Sequence, residues 1–461
     1  MDAFVIDGGR RLKGEVTISG SKNASLPIMA AALMTAEPII LRDVPCLRDI
    51  ANMRRLLHEL GCETTTAETD PNEIVLESDP DGPNLAPYDI VSTMRAGICV
   101  LGPLTASRGE ARVSMPGGCA IGDRPVDIHL RGMAALGAEV SLDEGDIVVK
   151  APRGGLRGAT VFLGGPFGST VLGTANVMSA AVLAKGTTVI ESAACEPEIV
   201  DLASLLTTMG ARIRGAGTPR IVIDGVESLG GAEHRIMPDR IEAGTYMVAA
   251  AITNGELTLG NCPYDCLLAA VDRLERIGVS VRPAIEGQPA SSSDGVTNLM
   301  AVTALDSESS PYRRSRVTVE SQRRLSPVQV TTQPHPGYPT DLQAQLMALL
   351  CLADGNSIVT ERIFPERFLH VAELGRMGAK LYRQGQTVVV SGVDQLRGAR
   401  VMASELRASA GLVLAGLAAE GSTTVHRVYH LDRGYETMER KLSAVGAEIK
   451  RVDEEEVAGG S

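Results

Sequence analysis

Tryptophan is absent from this 461-residue sequence and aromatic residues make up only 3% of it, so Leu, Val, Ile, Ala and Met must fill the core. Positive charge is also scarce. Lys and Arg number 44 against 56 Asp and Glu, a formal net charge of −12. That balance argues against a general nucleic-acid or anionic-membrane surface, while leaving room for a local cationic pocket that takes a small anion. The eight cysteines, Cys46, Cys62, Cys99, Cys119, Cys195, Cys262, Cys266 and Cys351, form no paired metal-like framework; Cys262 and Cys266 lack a second pair at zinc-finger spacing. Scattered reduced thiols are the expectation. Apolar runs are interrupted well before membrane-spanning length, and no apolar stretch follows a basic start, so the reading is a cytoplasmic protein without a secretion signal.

Against these shortages stand 49 glycines, which suggest many tight turns, and a length that calls for two domains of about 200 residues. The glycines are ordered. An apolar–Gly–small phrase recurs six times, at Leu60-Gly61, Leu136-Gly137, Met209-Gly210, Ile277-Gly278, Met377-Gly378 and Val445-Gly446. Each copy follows an amphipathic segment; before Gly278 this consists of Leu268, Val271, Leu274 and Ile277 at helical spacing. Each also precedes a short strand-like run such as 447–452, so the glycine reads as the left-handed residue that ends a helix. A second marker, Gly109, Gly186, Gly255, Gly355 and Gly421, keeps the same beat. Six α/β units of about 70 residues follow, with one longer interval that locates an insertion near 285–325. That stretch is rich in Ser, Pro and charge, like an exposed loop, and Arg313, Arg314, Arg323 and Arg324 read as a solvated face.

Two motifs suggest chemistry. In Gly20-Ser21-Lys22-Asn23-Ala24-Ser25 an alternating run ends and an apolar helix begins, so free N–H groups and the Lys22 ammonium make an anion site. In the segment from Pro116 to His129, Gly117, Gly118 and Gly122 surround the Cys119 thiol as a mobile loop. Arg124 and a nearby helix start favour the thiolate there. Pro125 suits the first position of that helix, whose buried stripe would be Val126, Leu130 and Met133. Taken alone, Lys22 reads more simply as a surface lysine; for Cys119 the plain alternative is a buried inert thiol, against which the glycine-rich polar setting argues.

The strings GSKNASLP, YDIVSTMRAG, MPGGCAIGDRPVDIH, EPEIVD, MPDRIEAGT, GYPTDLQAQ, RFLHVAELGRMGA, LRASAGLVLAG and HLDRGYE span residues 20 to 436. In content and order they resemble the enolpyruvyl transferase family. The resemblance implies an α/β fold: a two-lobed inside-out α/β barrel, EPSP synthase-like, with six βαβαββ units, three per lobe. One lobe would run from 22 to 237 and carry the cysteine loop; 1–21 plus 238–461 would form the other. Transfer of the enolpyruvyl group of phosphoenolpyruvate to the 3-hydroxyl of UDP-N-acetylglucosamine is the implied reaction, the entry to peptidoglycan precursor synthesis. It would proceed by addition–elimination in a cleft that a mobile loop covers.

By matching position, the resemblance assigns Lys22, Arg124 and Arg433 to the phosphate and carboxylate of phosphoenolpyruvate. It assigns Arg95, Arg367 and Arg407 to added positive field. Asn23 and Asp341 would bind the amino sugar, with Asp341 as base and Cys119 as acid or covalent partner. The catalytic set is then Cys119, Asp341, Lys22 and Arg433. Uridine diphosphate would meet Arg124, Pro125, Val126, Asp127 and Ile128, with Gly168, Asp239, Arg240 and Ile363 as further contacts. No metal or organic cofactor is called for, because one acid and one base that reverse roles suffice. One departure stands out: at 163–170, where the family usually places a lysine and a serine against the diphosphate, this chain has Gly164, Gly165 and Pro166. Two competing readings remain, an EPSP synthase-like transferase acting on a shikimate phosphate and a non-catalytic paralogue that binds UDP-sugar.

Overall fold

The computed structural model describes residues 2–115, 126–284, 312–322 and 324–454. Two compact units emerge, one built from residues 20–115 and 126–237, the other from 2–19 and 238–454.

In the first unit the helices, in chain order, are α1 (Lys22–Ala31), α2 (Arg48–Glu59), the single turn α3 (Tyr88–Val91), α4 (Leu101–Arg108), α5 (Asp127–Ala135), α6 (Val171–Ala181) and α7 (Pro197–Thr208). They fall into two kinds. Along α1 every side chain but Asn23 is buried, and α6 is buried from Gly173 to its end. Such all-round apolar helices belong at the centre of a unit. By contrast α2, with Ile50, Met53, Leu56 and Leu57 inward and arginines outward, covers one face only. The central helices come unusually close. A Cβ on Gly102 of α4 would fall 2.1 Å from the Asn176 carbonyl of α6, so only glycine fits there.

Three four-stranded sheets surround these helices. Each starts with a parallel pair and continues through two antiparallel neighbours: 232–235, 39–42, 74–78, 62–66; then 85–86, 110–114, 146–150, 139–143; then 160–162, 187–191, 220–224, 212–214. The middle sheet shows the unit plainly as strand, α4, strand, α5, strand, strand, which is the expected βαβαββ order.

The second unit repeats the scheme with α8 (Arg240–Ile252), α9 (Leu268–Ile277), α10 (Gln343–Leu350), α11 (Leu369–Arg376), α12 (Leu406–Ala418) and α13 (Met438–Ala444). All thirteen residues of α8 and all eight of α10 are buried. Burying a Leu, Ile or Met contributes about 1.5–3 kcal/mol, so these helices add substantially to the unit's stability. Its sheets run 13–17, 256–262, 315–320, 280–283; then 329–331, 356–360, 387–391, 380–384; then 400–402, 422–426, 2–7, 448–453. The N-terminal strand thus enters the last sheet between two C-terminal strands.

All six phrase glycines adopt positive φ, from 73° at Gly61 to 108° at Gly210, and close helices α2, α5, α7, α9, α11 and α13. The second marker behaves alike except at Gly255, where Asn254 takes the left-handed conformation instead.

Three local expectations need correction. Residues 315–320 are not insertion loop but a sheet strand, with Val317 and Val319 buried against 256–262. Leu268 is 41% exposed, so the inward stripe of α9 is Ala270, Val271, Leu274 and Ile277. Helix α5 begins at Asp127 with Val126 as its cap, and Leu130 is only half-buried. Of the four insertion arginines, Arg323 lies outside the described residues. Arg314 donates to Asn261 Oδ1 at 2.9 Å, and Arg324 pairs with Asp394 at 2.8 Å.

Candidate functional site

In the second unit Asp341 lies on a single 3-10 turn, Thr340–Leu342, just before α10. Its Oδ1 accepts from Arg367 Nη1 at 2.6 Å, and its Oδ2 from Arg407 Nη2 at 3.2 Å and Nε at 3.3 Å. Both arginines are buried, Arg407 almost completely. Burial opposes a guanidinium's charge, yet neighbouring groups more than offset it here: Glu405 and Asp341 raise Arg367, and Tyr435, Asp341 and Asp239 raise Arg407. The Arg407 guanidinium also lies 5.4 Å from the Tyr435 ring centroid, a cation–π contact.

Glu405 organises this cluster. It caps α12, accepting from Arg407 N at 2.9 Å and Ala408 N at 2.7 Å, and takes Arg367 Nη2 at 3.3 Å. Burial works against its charge, but Arg367 and the two N–H groups hold the carboxyl below the usual range. Gln345 of α10 fixes the Asp341 backbone by donating to its carbonyl at 2.9 Å, and bonds the buried Tyr435 hydroxyl at 3.1 Å.

The other expected residues of this unit lie on nearby elements. Asp239 caps α8 through Ile241 N and Glu242 N, and its charge reaches Arg407. Arg240 opens the same helix and is buried. Arg433 ends the 3-10 helix Val428–Arg433, two residues before Tyr435. Ile363, half-buried, has its N–H bound to Glu361 Oε1 at 2.7 Å.

The first unit carries a second group. Lys22 opens α1, with Ser21 Oγ accepting from Ala24 N as the cap. Its Nζ lies 3.3 Å from the buried Asp49 of α2. Asn23 follows, half-buried. Arg95 starts the 3-10 helix Arg95–Val100, against which α1 packs. Asn176 of α6 ties that helix to α4, donating to Ile98 O at 2.9 Å and accepting from Gly102 N of α4 at 2.8 Å. It also faces His129 Nδ1 at 3.0 Å. Burial, with the Arg95 charge, pushes His129 down to about 4 and keeps it neutral.

Val126, Asp127 and Ile128 form the start of α5. Gly168 lies opposite Gly165 in a hairpin that joins 164–165 to 168–169. The glycines there have a packing reason: a Cβ on Gly165 would fall 2.7 Å from Ile128 Cδ1, and one on Gly164 2.4 Å from the Phe162 ring. Arg131 of α5 donates to Gly164 O at 2.9 Å, which places a guanidinium beside this hairpin. Cys119, Arg124 and Pro125 lie outside the described residues.

Within the second unit Asp341, Arg367 and Arg407 are therefore brought into direct contact; within the first, Lys22 and Asn23 on α1 and Arg95 on the 3-10 helix sit on elements packed against each other. Glu405, Asp49, Tyr435 and Glu361 escaped sequence reading. For Glu405 one signal existed, an acid directly before a largely apolar helix.

A model of the EPSP synthase (3-phosphoshikimate 1-carboxyvinyltransferase) family matches residues 6–442. The chain is 49% identical over 451 residues to a UDP-N-acetylglucosamine 1-carboxyvinyltransferase of Anaeromyxobacter sp. (strain Fw109-5), covering 98% of this chain and 99% of that one. A protein of the same name from Novosphingobium aromaticivorans is 48% identical over 456 residues, covering 98% and 99%. Among solved structures, the enolpyruvyl transferase NikO from Streptomyces tendae superposes with a TM-score of 0.82 at 24% identity, covering 98% of this chain and 99% of that one. An EPSP synthase from Acinetobacter baumannii gives 0.72 at 16%, covering 98% and 99%. These two bear on the fold alone.

Proposed function

Because the chain belongs to the EPSP synthase family, and within it to the UDP-N-acetylglucosamine 1-carboxyvinyltransferases, we propose that it transfers the enolpyruvyl group of phosphoenolpyruvate to the 3-hydroxyl of UDP-N-acetylglucosamine, releasing phosphate. This is the first committed step of peptidoglycan precursor synthesis, carried out in the cytoplasm. The observation that carries the chemistry is Asp341, a carboxylate with one oxygen on each of two buried guanidiniums.

The reaction needs a proton placed on the methylene carbon of the enol, attack of the sugar oxygen on the adjacent carbon, and loss of the hydroxyl proton to a base. Phosphate then leaves the tetrahedral intermediate as the methyl carbon returns a proton. Asp341 is assigned as the base. A phosphate or carboxylate that shares Arg367 and Arg407 with it draws positive charge away, leaving it readier to accept a proton. Lys22, Arg124 and Arg433 are assigned to the phosphoenolpyruvate charges, with Arg95 adding positive field. Cys119 is assigned as the acid or covalent partner. Asn23 holds the amino sugar, and residues 124–128 with Gly168, Asp239, Arg240 and Ile363 hold the nucleotide.

Asp341→Asn tests this assignment, because the amide keeps the shape and removes the base. Turnover is expected to fall by about 10²–10⁴ while UDP-N-acetylglucosamine still binds in equilibrium dialysis. Equal loss of binding would make Asp341 a structural residue.

A further inference from the structure

One buried carboxylate near this cluster has no role in the reaction described above. Glu361 is fully buried. It accepts hydrogen bonds from four neutral donors. Oε1 accepts from Thr332 Oγ1 at 2.7 Å, Ile363 N at 2.7 Å and Phe364 N at 3.0 Å. Oε2 accepts from Thr340 Oγ1 at 2.9 Å. A bare carboxylate inside a protein is costly unless its charge is shared out, and four donors are a strong way to share it. The arrangement also has a direction. A hydroxyl that gives its hydrogen to a carboxylate turns its lone pairs elsewhere, and Thr340 Oγ1 accepts from Arg367 Nη1 at 3.2 Å. The same Nη1 donates to Asp341 Oδ1.

We propose that Glu361 and Thr340 are positioning residues: a relay from Glu361 through the Thr340 hydroxyl to Arg367 sets the guanidinium that orients Asp341, and the same carboxylate anchors the loop bearing Ile363. The role rests on the reading of Asp341 as base. Two features set the relay apart from ordinary packing. Thr340 precedes Asp341 directly in the chain, so its hydroxyl fixes both the backbone of the 3-10 turn and the arginine that grips the neighbouring side chain. And Arg367 is held at three acceptors, Thr340, Asp341 and Glu405, of which Thr340 alone is uncharged. The charges that Asp341 shares with Arg367 are balanced by Glu405 behind it, and on the other side by Arg407, which faces Asp239 and Tyr435. Glu361 adds a carboxylate one hydroxyl away, held by two threonine hydroxyls and two backbone N–H groups.

The test is Thr340→Val, which keeps shape and removes the hydroxyl, compared with Thr340→Ser, which restores it. Thermal unfolding and the pH dependence of kcat are followed with both substrates saturating. For Val, kcat is expected to fall about 10- to 100-fold, as for a displaced catalytic group. The acid limb of its pH profile should move up by about one pH unit, because a loosened Arg367 favours the Asp341 carboxylate less. Ser is expected to return both toward wild type. Glu361→Gln should act in the same direction, since an amide N–H facing Thr340 cannot accept its hydrogen.

A folded Val variant with unchanged kcat and acid limb overturns the relay. So does failure of both the Val and the Gln variants to fold, which would make these groups structural only. A wild-type protein that releases no phosphate would instead sink the functional reading, and the two failures are thereby kept apart.

Discussion

A carboxylate between two guanidiniums is easily disturbed from behind, and Glu405 is the group best placed to do so. It neutralises part of Arg367 and caps α12 at once. Glu405→Gln removes the charge while keeping the amide oxygen for one N–H, and is expected to cost about 2 kcal/mol of stability at neutral pH, the range for bonds to a charged acceptor. The sign with pH follows from its depressed titration. A carboxyl held below its ordinary 4.5 contributes fully above that pH, and the contribution is lost as pH falls through the lower folded value. Denaturant melts of wild type and variant should thus draw together as pH falls below 4.5 and through that lower value; a gap that stays constant into acid would contradict the assignment.

At this scale the sequence was legible only in part. Asp341, Arg367 and Arg407 stand in recognisable strings, and the structure brings them together. Glu405 and Glu361 do not stand out, because a carboxylate satisfied by backbone N–H groups and distant hydroxyls has no periodicity and no fixed spacing to its partners. Thr332 and Thr340 reach Glu361 from 29 and 21 residues away, distances that only the folded chain makes short.

At the scale of elements, the recurring glycine is the clearest link from sequence to backbone. Gly378 closes α11 at a φ of 90°, with nothing within 4 Å of where a Cβ would stand. Space is therefore not the constraint; conformation is. Gly378→Ala is expected to destabilise by about 1–2 kcal/mol, the cost of a left-handed non-glycine residue. Gly375, inside the same helix, is equally uncrowded but has no positive φ. Gly375→Ala should stabilise by about 0.5–1 kcal/mol. If both substitutions shift the urea midpoint the same way, the cap reading fails.

The strand at 315–320 shows the opposite case. Its Val317 and Val319 alternate correctly, but the Ser-, Pro- and Arg-rich residues before it carry the composition of a loop and drown a six-residue signal. Pairing with 256–262 and 280–283, both distant in sequence, decides its state.

Across the whole molecule, thiol reactivity gives a separate check. The described cysteines form no disulfide with one another. Burial pushes Cys62, Cys99 and Cys351 up to about 12, so they remain protonated and poor nucleophiles. Cys46 is exposed and is the natural competitor. An epoxide that mimics phosphoenolpyruvate should label Cys119 first, faster with nucleotide sugar present, and Cys46→Ser should leave that labelling unchanged. Mass spectrometry that finds Cys46 or a buried thiol modified ahead of Cys119 would contradict its placement in the chemistry.

Whole-chain organisation was the most legible level of all. Glycine spacing alone marks six units, because a left-handed helix end is demanded by local backbone sterics and recurs wherever the same helix-to-strand join recurs.

The central claim is a specific transfer to a nucleotide sugar, and the most direct measurement is phosphate release with phosphoenolpyruvate and each of two acceptors, followed by mass analysis of the product. UDP-N-acetylglucosamine should support turnover and gain one enolpyruvyl group per phosphate released, whereas shikimate 3-phosphate should support none. Phosphate release with shikimate 3-phosphate alone, or with neither acceptor, would contradict the account.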